Sequence, residues 1–108
     1  MTLSVPAPVA VYLAAEQAKD TEQLSLCFTA DGLVHDEGRS YRGRGAILKW
    51  KKAADAKYRY TMQPLAAHTH GNEVTVLARL TGDFPGSPVE VNHFFKLSND
   101  KIASLEIR

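Results

Sequence analysis

At 108 residues the chain has room for one ordinary domain with a single core and too little for a second. Thirteen basic against twelve acidic side chains leave a net charge of +1, which offers no basic field to a phosphate backbone, so nucleic acid is not an expected partner. The opening stretch MTLSVPAPVAVYLAAEQ lacks a basic n-region and falls well short of the roughly 20 apolar residues of a membrane span, and the lone cysteine, Cys27, cannot form an internal disulfide; the expectation is a cytoplasmic protein with no membrane segment.

From Pro8 to Ala18 the apolar residues Val9, Tyr12, Leu13 and Ala15 recur at spacings of three and four, which predicts an amphipathic helix with Pro6 and Pro8 suited to its first turn. KDTEQLSLCF restarts the pattern: Asp20 or Thr21 can cap, and Leu24, Cys27 and Phe28 make a second stripe, on which Cys27 is most simply a small buried apolar residue. TADG breaks the helix, and LVHDE and RSYRG read as two short strands turning at Glu37-Gly38. GRGAILKWKKAADAKY returns to helical period with Ile47 and Trp50 inward, and its lysines 49, 51, 52 and 57 are expected mostly on a solvated face.

After Lys57 the period changes to two. Tyr58, Tyr60 and Met62 form one face of a strand, Val74, Val76, Ala78 and Leu80 one face of the next, and Val89, Val91, His93, Phe95 and Leu97 an inward row on a third. The turn signals HGN, DFPGSP and SND separate four strands at hairpin distances, so the sheet should be mainly antiparallel. Helices first and a strand meander last predict an α+β fold: three N-terminal helices packed on a curved, mainly antiparallel sheet.

Three stretches carry a resemblance. AAEQAKDTEQLSLCFTADGLVHDEG is similar to the pattern A-x-x-x-G-D-x-x-x-x-x-x-x-F-x-x-D-x-x-V-x-D of the nuclear transport factor 2-like (cystatin-like) superfamily, with Lys19 where glycine is usual. YRGRGAI matches its R-G-x-x-A-I helix start, and DKIASLEI its closing G-K-I strand, with Asp100 in place of glycine. The chain thus resembles the SnoaL-like and ketosteroid-isomerase-like branch of that superfamily along nearly all of residues 1–108. The resemblance implies a cone-shaped domain whose sheet wraps around the long helix and leaves an apolar pocket. It implies Tyr12 as oxyanion donor and Asp36 as proton-abstracting base. A third position falls on His93 or on Asn92, and the alternating row favours His93.

The remaining candidates follow from chemistry. A carboxylate in an apolar pocket has a raised pKa and is a better base near neutrality, which suits Asp36; His35 and Glu37 alternate away from it. Trp50, Tyr58, Tyr60 and Phe95 form an aromatic inner lining that could contact a ligand or simply fill a core. His68 and His70 share a strand face but lack a third ligand nearby, so no metal is expected. No nucleotide-binding or nucleophile motif occurs, and no organic cofactor is expected. Arg42 and Arg44 flank the third helix start; Asp31, Asp36 or an anionic ligand are all open as their partners.

The expected function is that of a small-molecule pocket protein of SnoaL-like type. In one reading it is a cofactor-free isomerase or cyclase in which Asp36 is general base, Tyr12 and His93 steady an oxyanion, and the substrate is a small apolar carbonyl compound. In the other the same fold is a non-catalytic ligand-binding or dimerisation module. Leu77 and Phe94, on the outer phase of their strands, predict a homodimer through the outer sheet face.

Overall fold

A computed structural model describes residues 4–108. Within them the order is α1 (Ala7–Ala18), α2 (Thr21–Leu26), β1 (Phe28–Asp36), β2 (Arg39–Arg42), α3 (Arg44–Lys57), β3 (Tyr60–His70), β4 (Glu73–Gly82), β5 (Val89–Ser98) and β6 (Lys101–Ile107). The expected α+β fold is found: three helices pack on one curved six-stranded sheet, ordered β2-β1-β6-β5-β4-β3. All neighbours are antiparallel except β1 and β6, which run parallel and set Asp36 opposite Ile107. No helix among the described residues is long and apolar enough to cross a membrane.

The helices form where the apolar stripes place them. Val9, Tyr12, Leu13 and Ala15 of α1 are buried, as are Ile47 and Trp50 of α3. Asp20 caps α2 by accepting from the Gln23 backbone N–H at 3.1 Å, and the Cys27 thiol, buried behind it, donates to the Gln23 carbonyl at 3.3 Å. The sheet contributes Phe28, Val34, Val74, Val76, Phe95, Ile102 and Leu105 to the same core. Burying one such side chain contributes on the order of 1.5–3 kcal/mol, so the core is the main force that closes helices onto sheet.

Three local features differ from expectation or explain it. TADG does not stand between helix and strand; it lies inside β1, whose pairing with β6 is irregular between Phe28 and Leu33. The segment is held by its carbonyls: Arg44 Nε donates to Phe28 O at 2.9 Å, Arg42 donates to Asp31 O at 3.1 Å, and the Gly43 N–H donates to Gly32 O at 2.7 Å. The two arginines therefore serve the backbone rather than the carboxylates of Asp31 or Asp36. Lys19 and Asp100, which stand where the sequence pattern has glycine, both adopt the left-handed conformation, with φ of 58° and 61°. That conformation is the one glycine takes without steric cost.

The third feature joins β3 to β4. A Cβ at Gly82 would come 2.0 Å from the Arg59 carbonyl oxygen and 2.6 Å from Tyr60 Cα, so only glycine fits. The adjacent Asp83 N–H donates to that same carbonyl at 2.9 Å. This close backbone approach fixes where β3 begins, and hence where Tyr58 and Tyr60 stand.

Candidate functional site

Between the helices and the concave side of the sheet lies a cavity of about 720 Å³. Tyr12 and Glu16 reach it from α1, Trp50 and Lys51 from α3, Asp36 from the end of β1, Tyr58 and Tyr60 from the start of β3, and His93 from β5. Leu80, Val89 and Val91 add an apolar wall, continued by Phe84 and Pro85 of the β4–β5 loop. Asp36 and Tyr12, expected to converge, line the same cavity. Of the four aromatic residues expected in the lining, Trp50, Tyr58 and Tyr60 are there. Phe95 is not: it is on the inward phase, but it lies in the core, its ring packed edge-on against Tyr12 at 5.2 Å between centroids. Strand alternation sets the face, whereas position along the strand decides between core and cavity.

Asp36 sits where β1 reaches the cavity, half-buried. The Trp50 indole N–H donates to its Oδ2 at 3.0 Å. Burial pushes the Asp36 carboxyl above the usual carboxylate range, because the charged form loses hydration, and the Trp50 bond pulls it partly back. His35 bonds Ser40 across the hairpin at 2.9 Å, and although strand alternation was expected to turn His35 and Glu37 away from Asp36, both also line the rim of the cavity because β1 ends there.

Tyr12 is 1 % exposed. Its hydroxyl makes no hydrogen bond among the described residues, and burial, with the nearby charge of Glu16, holds its pKa well above the ordinary phenol value. It stays a neutral donor at any physiological pH. His93 is 4 % exposed, and its Nδ1 finds no hydrogen-bond partner among the described residues. Burial, aided by the positive charge of Lys51, lowers its pKa to about 4, so the imidazole is neutral at pH 7.

A cluster not expected from the sequence forms the neighbouring wall. Lys51, assigned above to a solvated face, is 3 % exposed, and so is Glu16. Lys51 Nζ stands 2.6 Å from Glu16 Oε2 and 3.3 Å from Asp55 Oδ1, and it also donates to the Tyr60 hydroxyl. The Tyr60 hydroxyl donates in turn to Glu16 Oε1 at 2.8 Å, and burial, with the nearby carboxylates of Glu16 and Asp55, raises its pKa well above the ordinary phenol value. The signal was present in the spacing. Glu16 lies four residues after Tyr12, and Lys51 four after Ile47, so each continues a buried stripe. Asp55 follows Lys51 by another four.

A helix trio over a curved sheet with a cavity at its open end defines the nuclear transport factor 2-like class of pocket folds. The family model of the SnoaL-like domain matches residues 9–105, and the chain belongs to that family. Among solved structures it is similar to a Sinorhizobium meliloti protein provisionally assigned as a polyketide cyclase, at 38 % identity and TM-score 0.93 over 96 % of this chain and 95 % of that one. It is also similar to a hypothetical Catenulispora acidiphila protein with a ketosteroid isomerase-like fold, solved in complex with trimethylamine: 25 % identity, TM-score 0.86, 97 % and 86 % covered. An uncharacterised cystatin-fold protein of Novosphingobium aromaticivorans shares the fold at 19 % identity, TM-score 0.82, with 97 % and 99 % covered. No curated protein matches the chain.

Proposed function

We propose that the chain is a cofactor-free isomerase or cyclase acting on a small apolar carbonyl compound, with Asp36 as general base. The observation that carries this reading is the Asp36 carboxylate itself: it lines the cavity, is raised by burial toward the range useful for proton abstraction, and is oriented by the Trp50 indole. Asp36 removes the proton on the carbon next to the substrate carbonyl, and the electron pair moves onto the carbonyl oxygen. The Tyr12 hydroxyl, and the neutral His93 imidazole through an N–H, donate to the developing oxyanion. The carbanion equivalent then either takes the proton back from Asp36 at another carbon, giving isomerisation, or attacks a second carbonyl in the same molecule, whose oxygen takes the proton back from Asp36 as the first carbonyl re-forms, giving cyclisation. The aromatic side chains of Trp50, Tyr58 and Tyr60 hold the apolar body of the substrate.

Support also comes from the small ligand in the Catenulispora relative and from the provisional assignment of the Sinorhizobium relative. The test is exchange of the α-proton of a cyclic β,γ-unsaturated ketone in deuterated buffer, followed by NMR. Exchange that is catalysed by the native protein and lost in Asp36→Asn is expected. Catalysed exchange that persists in Asp36→Asn overturns the base assignment; absence of exchange with the native protein, alongside saturable binding, favours the non-catalytic pocket reading. We assign the homodimer to the outer sheet face, where half-buried Leu77 and Phe94 lie diagonally across the β4–β5 pairing on one side of the sheet. Sedimentation equilibrium at micromolar concentration tests it: a mass at twice 11.9 kDa is expected, and a clean 11.9 kDa species defeats it.

A further inference from the structure

The charge around the cavity is one-sided. Glu16, Asp36, Glu37 and Glu106 contribute to its lining, against Lys51 and Arg108. Both cations are already paired with carboxylates of the chain. Lys51 Nζ donates to the Tyr60 hydroxyl and ion-pairs with Glu16 and Asp55, so its charge is already compensated. Arg108 pairs through Nε with Glu106 at 3.0 Å, and its guanidinium lies 4.7 Å from the Phe94 ring centroid, on the outer side of the sheet. His93 adds no positive charge at neutral pH, since its buried imidazole is unprotonated, and its unpartnered Nδ1 is the atom of a side chain that still lacks a donor or acceptor. Glu16 and Asp55 are balanced by Lys51 and by Lys19, which lies 4.0 Å from Asp55 Oδ1, so the charge left for a ligand is that of Asp36 when ionised, with Glu37 beside it.

The apolar part of the wall has the same preference. Tyr12, Trp50, Tyr58, Tyr60 and Phe84 present aromatic rings, whose quadrupoles attract cations. The chain's own ammonium groups already lie over two of these rings, Lys19 at 3.9 Å from the Tyr60 centroid and Lys57 at 5.1 Å from that of Tyr58. A carboxylate or phosphate entering this space would lose hydration and meet only cations already paired with carboxylates of the chain, which is costly. A protonated amine would meet the Asp36 carboxylate and aromatic rings.

We propose that the cavity selects its ligand by the sign of the charge: it takes a small apolar molecule bearing a protonated amine, with the ammonium toward the Asp36 end, and rejects carboxylates and phosphates. The inference deepens the pocket reading and rests on it only in using the same cavity; it requires no turnover. Its failure is separable from that of the enzymatic reading, because a neutral ketone can be turned over whatever the charge preference.

Trp50 is the single tryptophan of the chain and lines the cavity, so its fluorescence and its indole N–H resonance report occupancy. Three probes share one hydrocarbon body: 3,3-dimethylbutylamine, 3,3-dimethyl-1-butanol and 3,3-dimethylbutanoate. At pH 8 the amine should bind about tenfold tighter than the alcohol, and the carboxylate about tenfold weaker, each step corresponding to roughly 1.4 kcal/mol. In Asp36→Asn the ratio of amine to alcohol affinity should collapse toward one. Lowering the pH of the native protein through the raised Asp36 pKa should erode the same ratio. Carboxylate binding as tight as that of the alcohol, an amine advantage that survives in Asp36→Asn, or no response of Trp50 to any of the three would overturn the proposal.

Discussion

The two polar walls of the cavity are built on opposite rules. On one, Glu16, Lys51 and Tyr60, with Asp55 behind them, are held together by charge: Lys51 ion-pairs with both carboxylates, and the Tyr60 hydroxyl accepts from Lys51 and donates to Glu16. On the other, Tyr12 and His93 have no ion-pair partner and leave hydrogen-bonding capacity unused among the described residues, and Asp36 holds a single side-chain donor, Trp50. Charge-paired groups are already compensated and act through packing and field. Unsaturated groups carry a standing desolvation cost that a ligand can relieve. The difference separates architecture from chemistry without reference to any relative.

The largest effect should come from breaking the paired wall. Lys51→Met leaves the buried Glu16 carboxylate without its counter-ion, whereas Asp55 keeps Lys19 at 4.0 Å, and should cost about 3–5 kcal/mol in urea unfolding. Adding Glu16→Gln should recover part of that loss, because the buried uncompensated charge is then removed. A single-variant loss below about 1 kcal/mol, as expected of exposed pairs, would show that the two walls do not differ in this way.

The unsaturated wall should reveal itself in acid. His93 has a folded pKa near 4 against an ordinary value of 6.5, so between those values the unfolded chain takes up a proton that the folded one refuses. Stability should therefore fall as pH drops from about 6.5 toward 4, by about 3 kcal/mol for this group. His93→Gln should flatten that part of the profile, measured as urea midpoint against pH. An unchanged slope in the variant would move His93 out of the buried neutral state.

Asp36 should show a smaller effect of opposite direction. Its folded pKa is raised, so its protonated form favours folding and the benefit is lost as pH rises through that value. Asp36→Asn keeps an acceptor for Trp50 and carries no charge, so its melting temperature at pH 7 should lie slightly above that of the native chain, with the gap closing at low pH. The gain is modest because the carboxylate is only half-buried and solvent screens it. A lower melting temperature at pH 7 would mean that the charge is structurally required. Least of all, Asp100→Gly should stabilise by about 0.5–1 kcal/mol by relieving the left-handed backbone, since the residue makes no side-chain bond among the described residues; no gain would mean that the turn already accommodates aspartate without strain.

Most of the fold was legible because periodicity reports which face is buried. Helix stripes and strand alternation located every element, and the Asp36 and Tyr12 phases were inward as expected. Three things were not legible, each for a physical reason. TADG has turn composition, yet the Arg42 side chain and the Gly43 N–H satisfy two of its carbonyls, and Arg44 that of the preceding Phe28, so that it runs on as strand. Lys51 sits on a buried stripe, but lysines are almost never buried unless paired, and its partners lie 35 residues back and one helical turn on. Phe95 shares the row of His93, and period two carries no information about depth along the strand. What the site binds was not written in any single motif; it emerges from which polar groups are already spent.

The contact at Gly82 bears on how the cavity can breathe. The backbones of Gly82 and of Arg59–Tyr60 touch, and the Asp83 N–H clasps the Arg59 carbonyl, so the Tyr58–Tyr60 jamb and the root of the Phe84–Pro85 loop form one mechanical piece. A displacement of either must carry the other with it. Widening the entrance from that side would mean prising the end of β4 off the start of β3, against the ladder that pairs Tyr60 with Gly82 and Thr61 with Thr81. The opposite rim is the Glu37-Gly38 turn of a short edge hairpin, exposed and tied only to its own strands. The two sides of the entrance are therefore braced unequally, firmly at the Tyr58–Tyr60 side and only by its own hairpin at the turn that follows Asp36.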